Sequence, residues 1–285
     1  MHTSRRVSPM GSGKLAVGVA GAIVVALVAV PLGAVFAFAL EGGLEPVART
    51  LARPDVHAAL GLSALAAAIA VPFVTLFGVA AAWVVTRTEL PGRGALAATL
   101  SVPFTIPPVV SGLLVVLTLG PRSPIGSWFG ERGVPLVFAA PAIVIATTLV
   151  SLGVVAKDLL PLMAALGPAE ETAARALGAT PLQAFLRVTL PGLRLPLLQA
   201  GVGALARALG EFGSVSVVSG RIRGETMTVP LLTEALYGEY DRTGAFVLAA
   251  LLALVALAAV GAKKAVEASV AALERAEREP RRVAP

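Results

Sequence analysis

The chain has 285 residues, 56% of them hydrophobic and only 14% charged, with a mean hydropathy of +0.85; this lies far outside an ordinary soluble domain and assigns it to a bilayer. The net charge of +6 comes from 23 Lys and Arg against 17 Asp and Glu, and with no aromatic-studded basic patch the surplus speaks for membrane orientation and against nucleic-acid binding. The lack of cysteine excludes disulfides, thiolate catalysis and cysteine metal sites, and the two histidines, His2 and His57, have no neighbours at metal-ligand spacing.

Residues 1–14 form a basic segment carrying Arg5, Arg6 and Lys14, and Leu15 to Leu40 then runs uncharged for 26 residues, enough to cross a membrane. Ala37-Phe38-Ala39 resembles a signal-peptidase site, but the apolar run is too long for a signal sequence and reads as an uncleaved first helix. Gly11-Ser12-Gly13-Lys14 fails as a phosphate loop, because Ser8 stands where the first glycine belongs and Leu15 where Ser or Thr must bind magnesium.

A polar connection over Glu41 to His57 leads to a second span, Ala58 to Thr86, interrupted only by Pro72. After a short loop, Arg87 to Arg93, the third span runs from Gly94 to Gly120 with Pro103, Pro107 and Pro108 inside it. Three prolines remove backbone donors and force a kink or an unwound turn, tolerated only where protein or a water-lined cavity covers the freed carbonyls. Pro121 to Gly133 reads as a loop with Trp128 and Phe129 at the interface, and Val134 to Ala156 as the fourth span. Leu193 to Gly220 is the fifth, Arg221 to Arg242 a long polar loop, and Thr243 to Ala262 the sixth. The tail, 263–285, reads as an amphipathic helix with Val266, Val270 and Leu273 on one face and Glu274 pairing with Arg278.

The fold class is therefore all-α, with a six-helix membrane domain over 15–262. Six spans put both termini on one side. That side holds fifteen of the 23 basic residues and the other seven, so the termini are expected in the cytoplasm. Arg207 completes the count, inside the fifth span. It and Glu211 can pair at i and i+4, and charges at membrane depth need a partner or a water-filled path. Two readings stay open: the pair locks the bundle, or Arg207 lines an anion pathway with Glu211 as its holder or gate. The proline break at Pro107 and Pro108 is a candidate lining of the same path.

Between the fourth and fifth spans, at about 157–192, lies the one long polar helical stretch. Pro168 suits a helix start, Glu170 and Glu171 fall in the first turn, and Gly178 is the natural stop. Thr180, Pro181 and Gln183 restart a helix with capping-box chemistry, and Leu190-Pro191 closes a helix-turn-helix knob. The series Glu171, Ala173, Ala174, Gly178, Val188, Leu190, Pro191 resembles the E-A-A...G.........I-x-L-P loop of bacterial ATP-binding cassette importer permeases, with Thr172 replacing one alanine and Val188 the isoleucine. The resemblance implies that Glu170, Glu171, Ala173, Ala174, Gly178, Leu190 and Pro191 couple transport to a separate ATPase by docking in its groove.

Gly210 to Leu231 and Thr233 to Asp241 resemble the sulfate and thiosulfate importer permeases, notably the W-type of their two membrane subunits, and P-F-T-I-P-P-V-V-S-G-L in the third span resembles its oxyanion-permease counterpart. The likeness covers roughly residues 55 to 262. It implies a non-enzymatic, multi-pass subunit of the bacterial inner membrane. This subunit would pair with a sister permease, take the oxyanion from a binding protein and be driven by an ATPase dimer that holds the ATP and magnesium, with no cofactor or metal on this chain. Membrane lipid is its only other expected contact. Molybdate and tungstate importers are the alternative. A polytopic membrane enzyme is disfavoured, since the chain has no H-E-x-x-H, no G-x-S-x-G and only one carboxylate well inside a span; a bare scaffold would have no use for the broken third span or the ion pair.

Overall fold

A computed structural model describes residues 10–89 and 91–278, and among these every regular element is helical. In chain order they are α1 (Met10–Leu40), α2 (Leu44–Leu51), α3 (Pro54–Arg87), α4 (Arg93–Thr105), α5 (Pro108–Leu119), α6 (Pro124–Gly130), α7 (Ala140–Ser151), α8 (Val154–Leu166), α9 (Ala169–Ala176), α10 (Pro181–Ala184), a π-helical turn (Phe185–Thr189), α11 (Leu190–Gly192), α12 (Arg194–Leu209), α13 (Gly213–Val218), α14 (Val229–Gly238) and α15 (Arg242–Arg278). Among the described residues four helices are long and apolar enough to cross a membrane, and two sharply bent pairs bring the number up to six.

The third span breaks where its prolines demand. The carbonyls before Pro107 and Pro108 lose their donors, so α4 stops, the chain turns through Ile106, and α5 leaves at 107° to it. The fourth span starts later and runs further than the hydropathy suggested, as one crossing from Ala140 to Leu166. Lys157 and Asp158 do not end it, because they lie on its exposed face while Leu159 and Met163 are buried at helical spacing. Residues 157–166, expected in the knob, are therefore the last turns of a spanning helix.

Three further expectations change. The fifth span is not one helix: α12 ends at Leu209, and Gly210-Glu211-Phe212 separates it from α13. The loop from Arg221 to Arg242 contains α14, opened by Pro230 in its first turn, whose Val229, Leu231, Leu232 and Leu236 are buried. The sixth span continues unbroken into the tail as α15; Arg5, Arg6 and the pairing expected of Glu274 with Arg278 lie outside the described side chains.

The bundle is organised around α3, whose 34 residues span about 50 Å at 1.5 Å per residue. At one end Val56 and Ala59 pack with Leu232, Leu236 and Leu248; in the middle Leu62 and Ala66 meet Val115, Ile143, Val215 and Val218; further on Val74 and Val79 meet Val155, Leu159, Leu193 and Ala200. Its buried face is rich in small residues, which lets neighbouring backbones approach. At Gly78 an added Cβ would lie 2.8 Å from the Ala156 backbone nitrogen. By contrast α1 is almost wholly exposed over its apolar window and touches α15 at its end, where Phe38 stacks on Phe246 at 4.9 Å. Such a surface suits lipid.

Candidate functional site

The two ends of α3 carry separate polar clusters. At its start the Arg53 guanidinium donates to Asp55 (2.9 and 3.1 Å) and to Asp241 (2.8 Å), and Arg223 bonds Glu239 at 2.6 Å. The hydrogen bond to Asp55, more than any other contact, holds Arg53 above its ordinary pKa against the opposing effect of burial. Arg221 pairs with Glu234 at 3.0 Å, so Arg221 and Arg223, just beyond the fifth span, are both already partnered.

At the other end of α3 sits the knob. The local grammar read from the sequence is present: Thr180 Oγ1 accepts from the Gln183 backbone, the Gln183 side chain accepts from the Thr180 backbone, and Gly178 stops α9 at φ 95°. Pro168 caps α9 instead of occupying its first turn. Glu170, Ala173, Gly178 and Pro191 are exposed, Ala174 and Leu190 are partly covered, and Leu177, Leu182 and Leu186 project large apolar surfaces, Leu177 with 90% exposure. An apolar tip of this kind marks a surface made for a partner.

Gly178 shows how local the knob's geometry is. A Cβ there meets nothing within 4 Å, so only the left-handed backbone resists substitution, by about 1–2 kcal/mol. Gly178→Val should leave the amount of protein in the membrane unchanged and reduce transport, while Gly178→Asn, which tolerates that conformation, should reduce it less. Equal transport by both variants and wild type would show that the turn does not set the knob.

Glu171 behaves differently from its neighbours. From Ala169 to Gln183 it is the one buried residue, and its carboxylate accepts from Arg87 Nε (3.0 Å), from Trp83 Nε1 (3.4 Å) and from the Thr189 hydroxyl. The sequence put Glu171 among the docking residues; its side chain faces inward and ties the knob to α3. Arg87, Trp83 and Thr189 were not singled out for this role. The available signal was Arg87 itself, the first charge after a 29-residue run without charge.

Of the candidate pathway residues, Pro108 lies where α5 crosses α13, and Glu211 stands just before α13. A Cβ on Gly213 would lie 2.7 Å from Pro108 Cβ, and one on Gly112 would lie 2.6 Å from the Ser214 carbonyl oxygen, so α5 and α13 touch backbone to backbone. Beside this crossing Glu211 is buried and accepts from the Ser214 backbone and hydroxyl, both at 3.0 Å, which caps α13. Arg207 approaches Glu211 only to 3.7 Å, and its side chain is 43% exposed against 4% for the carboxylate. The expected pair exists, but Glu211 is held by Ser214 and Arg207 is largely free to face out. Pro107 is exposed at the break.

Comparison with known proteins bears on this geometry. The sulfate transport system permease protein CysW of Escherichia coli (strain K12) is 42% identical over 245 residues, covering 86% of this chain and 84% of that protein. The chain belongs to the sulfate transport permeases. The permease is also 32% identical over 251 residues to CysT of the same organism, which covers 88% of the chain and 90% of CysT, so its W-type likeness is the stronger. No protein-family model matches it. In fold it resembles a chain of a bacterial alginate ABC transporter crystallised with an alginate-bound periplasmic protein, at a TM-score of 0.66 and 17% identity over 86% of this chain and 92% of that one. The permease is thus a multi-pass membrane protein of the sulfate transport permease family, with the fold of a bacterial ABC transporter chain.

Proposed function

We propose that this permease moves sulfate, with thiosulfate as the related cargo, as the W-type half of a heterodimeric pore whose other half is a T-type sister. The likeness to CysW along nearly the whole chain carries this reading. A binding protein delivers the oxyanion, and a cytoplasmic ATPase dimer, which holds the ATP and magnesium, engages the exposed knob; this chain needs no cofactor of its own. Both termini lie in the cytoplasm, with 1–14 and 263–285 flanking the membrane domain at 15–262.

Glu170, Ala173, Ala174, Gly178, Leu190 and Pro191 shape the docking knob and Glu171 seats it. Arg207, Glu211, Pro107 and Pro108 belong to the path at the crossing of the broken spans. Broken helices meeting inside a bundle are how transporters build substrate sites away from lipid, and the exposed Arg207 guanidinium supplies a cation suited to a divalent oxyanion.

Uptake of radiolabelled sulfate by cells lacking the chain tests the assignment, with unlabelled thiosulfate, molybdate and tungstate as competitors. Loss of sulfate uptake, rescued by the gene and blocked mainly by thiosulfate, is the expected result. Unchanged sulfate uptake with lost molybdate uptake would reassign the cargo.

A further inference from the structure

The Arg87 guanidinium occupies a position where an arginine normally extends to water or lipid phosphates. It is the last residue of α3, yet its side chain is only 6% exposed. Nε donates to Glu171 at 3.0 Å and Nη1 donates to the Met163 carbonyl at 2.9 Å. Met163 is in the last turn of α8, whose final carbonyls have no partner within the helix, and Glu171 is in the first turn of α9. The cation therefore sits at the negative end of one helix and the anion at the positive end of the next, so both macrodipoles favour the pair.

The same carboxylate takes the Thr189 hydroxyl, which the π-helical turn presents. One extra residue in a turn rotates the downstream side chains by about 100°, a residue's share of an α-helical turn, so Thr189 is buried while Leu186 and Arg187 face out. Such turns cost regular hydrogen bonding and are found mainly at functional positions. Four segments are thus gathered on one ion pair: the end of α3, the end of α8, the start of α9 and the turn leading back to α12. Nothing else in the knob from Ala169 to Gln183 is buried.

We propose that Arg87 is a positioning residue for coupling: through Glu171 it makes the knob and α3 one rigid body, so that a push on the knob moves the helix that packs into four of the five apolar cores. This rests on the knob being the ATPase contact. A lysine cannot replace it fully, because a single ammonium lacks the planar fork that reaches both the carboxylate and the Met163 carbonyl.

The test uses the whole importer, isolated from its own membranes through a tag on this chain and reconstituted in vesicles, with ATP hydrolysis and sulfate entry measured together. Arg87→Ala should keep the ATPase bound and hydrolysing while sulfate moved per ATP falls about tenfold, the worth of one lost charge-assisted contact. Arg87→Lys should recover part of that ratio, and the exchange Arg87→Glu with Glu171→Arg should recover more than either single change. An unchanged ratio in assembled Arg87→Ala importer would overturn the proposal. If Arg87→Ala does not reach the membrane, Glu171→Gln, which keeps size and hydrogen bonding, gives the answer: a lowered ratio supports the joint and an unaltered one refutes it. Failure of the coupling reading itself would show in the wild type, as an isolated chain with no bound ATPase.

Discussion

Replacing Gly112 with valine should all but abolish the folded importer. The α5 and α13 halves meet through Gly112 and Gly213, and the nearest atoms to a Cβ at 112 are the Ser214 carbonyl oxygen at 2.6 Å, Val217 Cβ at 2.9 Å and Ser214 Cα at 3.1 Å. Two of these three are backbone, so no rotamer change relieves the clash and the helices must part. Overpacking of a close contact costs about 1–3 kcal/mol when side chains can adjust, and here the upper end is expected. Separation would also disturb Glu211, which caps α13 beside the contact. The measurement is the melting temperature of the detergent-extracted complex alongside sulfate uptake. Gly21→Val in α1, where a Cβ meets nothing within 4 Å, is the control and should leave both unchanged. Stable Gly112→Val protein would mean that the broken spans can move apart without penalty.

Much of this architecture was legible because its causes are local. A long uncharged run marks a span whatever its neighbours are, and the knob's capping box depends on the spacing of Thr180, Pro181 and Gln183 alone. The break at Pro107 and Pro108 comes from missing donors. What stayed hidden depends on residues far apart in the chain. Glu171 read as the carboxylate of the coupling motif, exposed for docking; only the packing of α3 against α8 brings Arg87, 84 residues away, to turn it inward. Likewise α14 was masked by the charges around it, since Arg221, Arg223, Glu234 and Glu239 satisfy one another across the fold and leave Leu231, Leu232 and Leu236 free to be buried. In the fifth span small residues allow close helix approach. Gly213 serves that purpose, but Gly210 ends α12.

The Arg207 and Glu211 variants should separate stability from transport. Had the two charges neutralised each other within the bundle, removing both would restore packing that either single change disrupts. Their geometry argues otherwise. At 3.7 Å, with Arg207 43% exposed, the pair is a loose i, i+4 contact with the base first, worth at most about 0.5 kcal/mol. Glu211 instead satisfies the Ser214 backbone N–H and hydroxyl, and its loss leaves buried donors unpaired at about 1–3 kcal/mol. Arg207→Ala should therefore melt like the wild type, Glu211→Ala should melt lower, and the double variant should match Glu211→Ala within about 0.5 kcal/mol, the limit of additivity for uncoupled sites. Sulfate uptake should order them differently. On the proposed pathway reading the exposed Arg207 guanidinium meets the divalent anion, and a charge-assisted contact of about 1.5 kcal/mol corresponds to roughly tenfold in rate or affinity. Arg207→Ala should lose that factor at full stability, Arg207→Lys should regain much of it, and normal uptake by Arg207→Ala would remove Arg207 from the path while leaving Glu211 as the cap of α13.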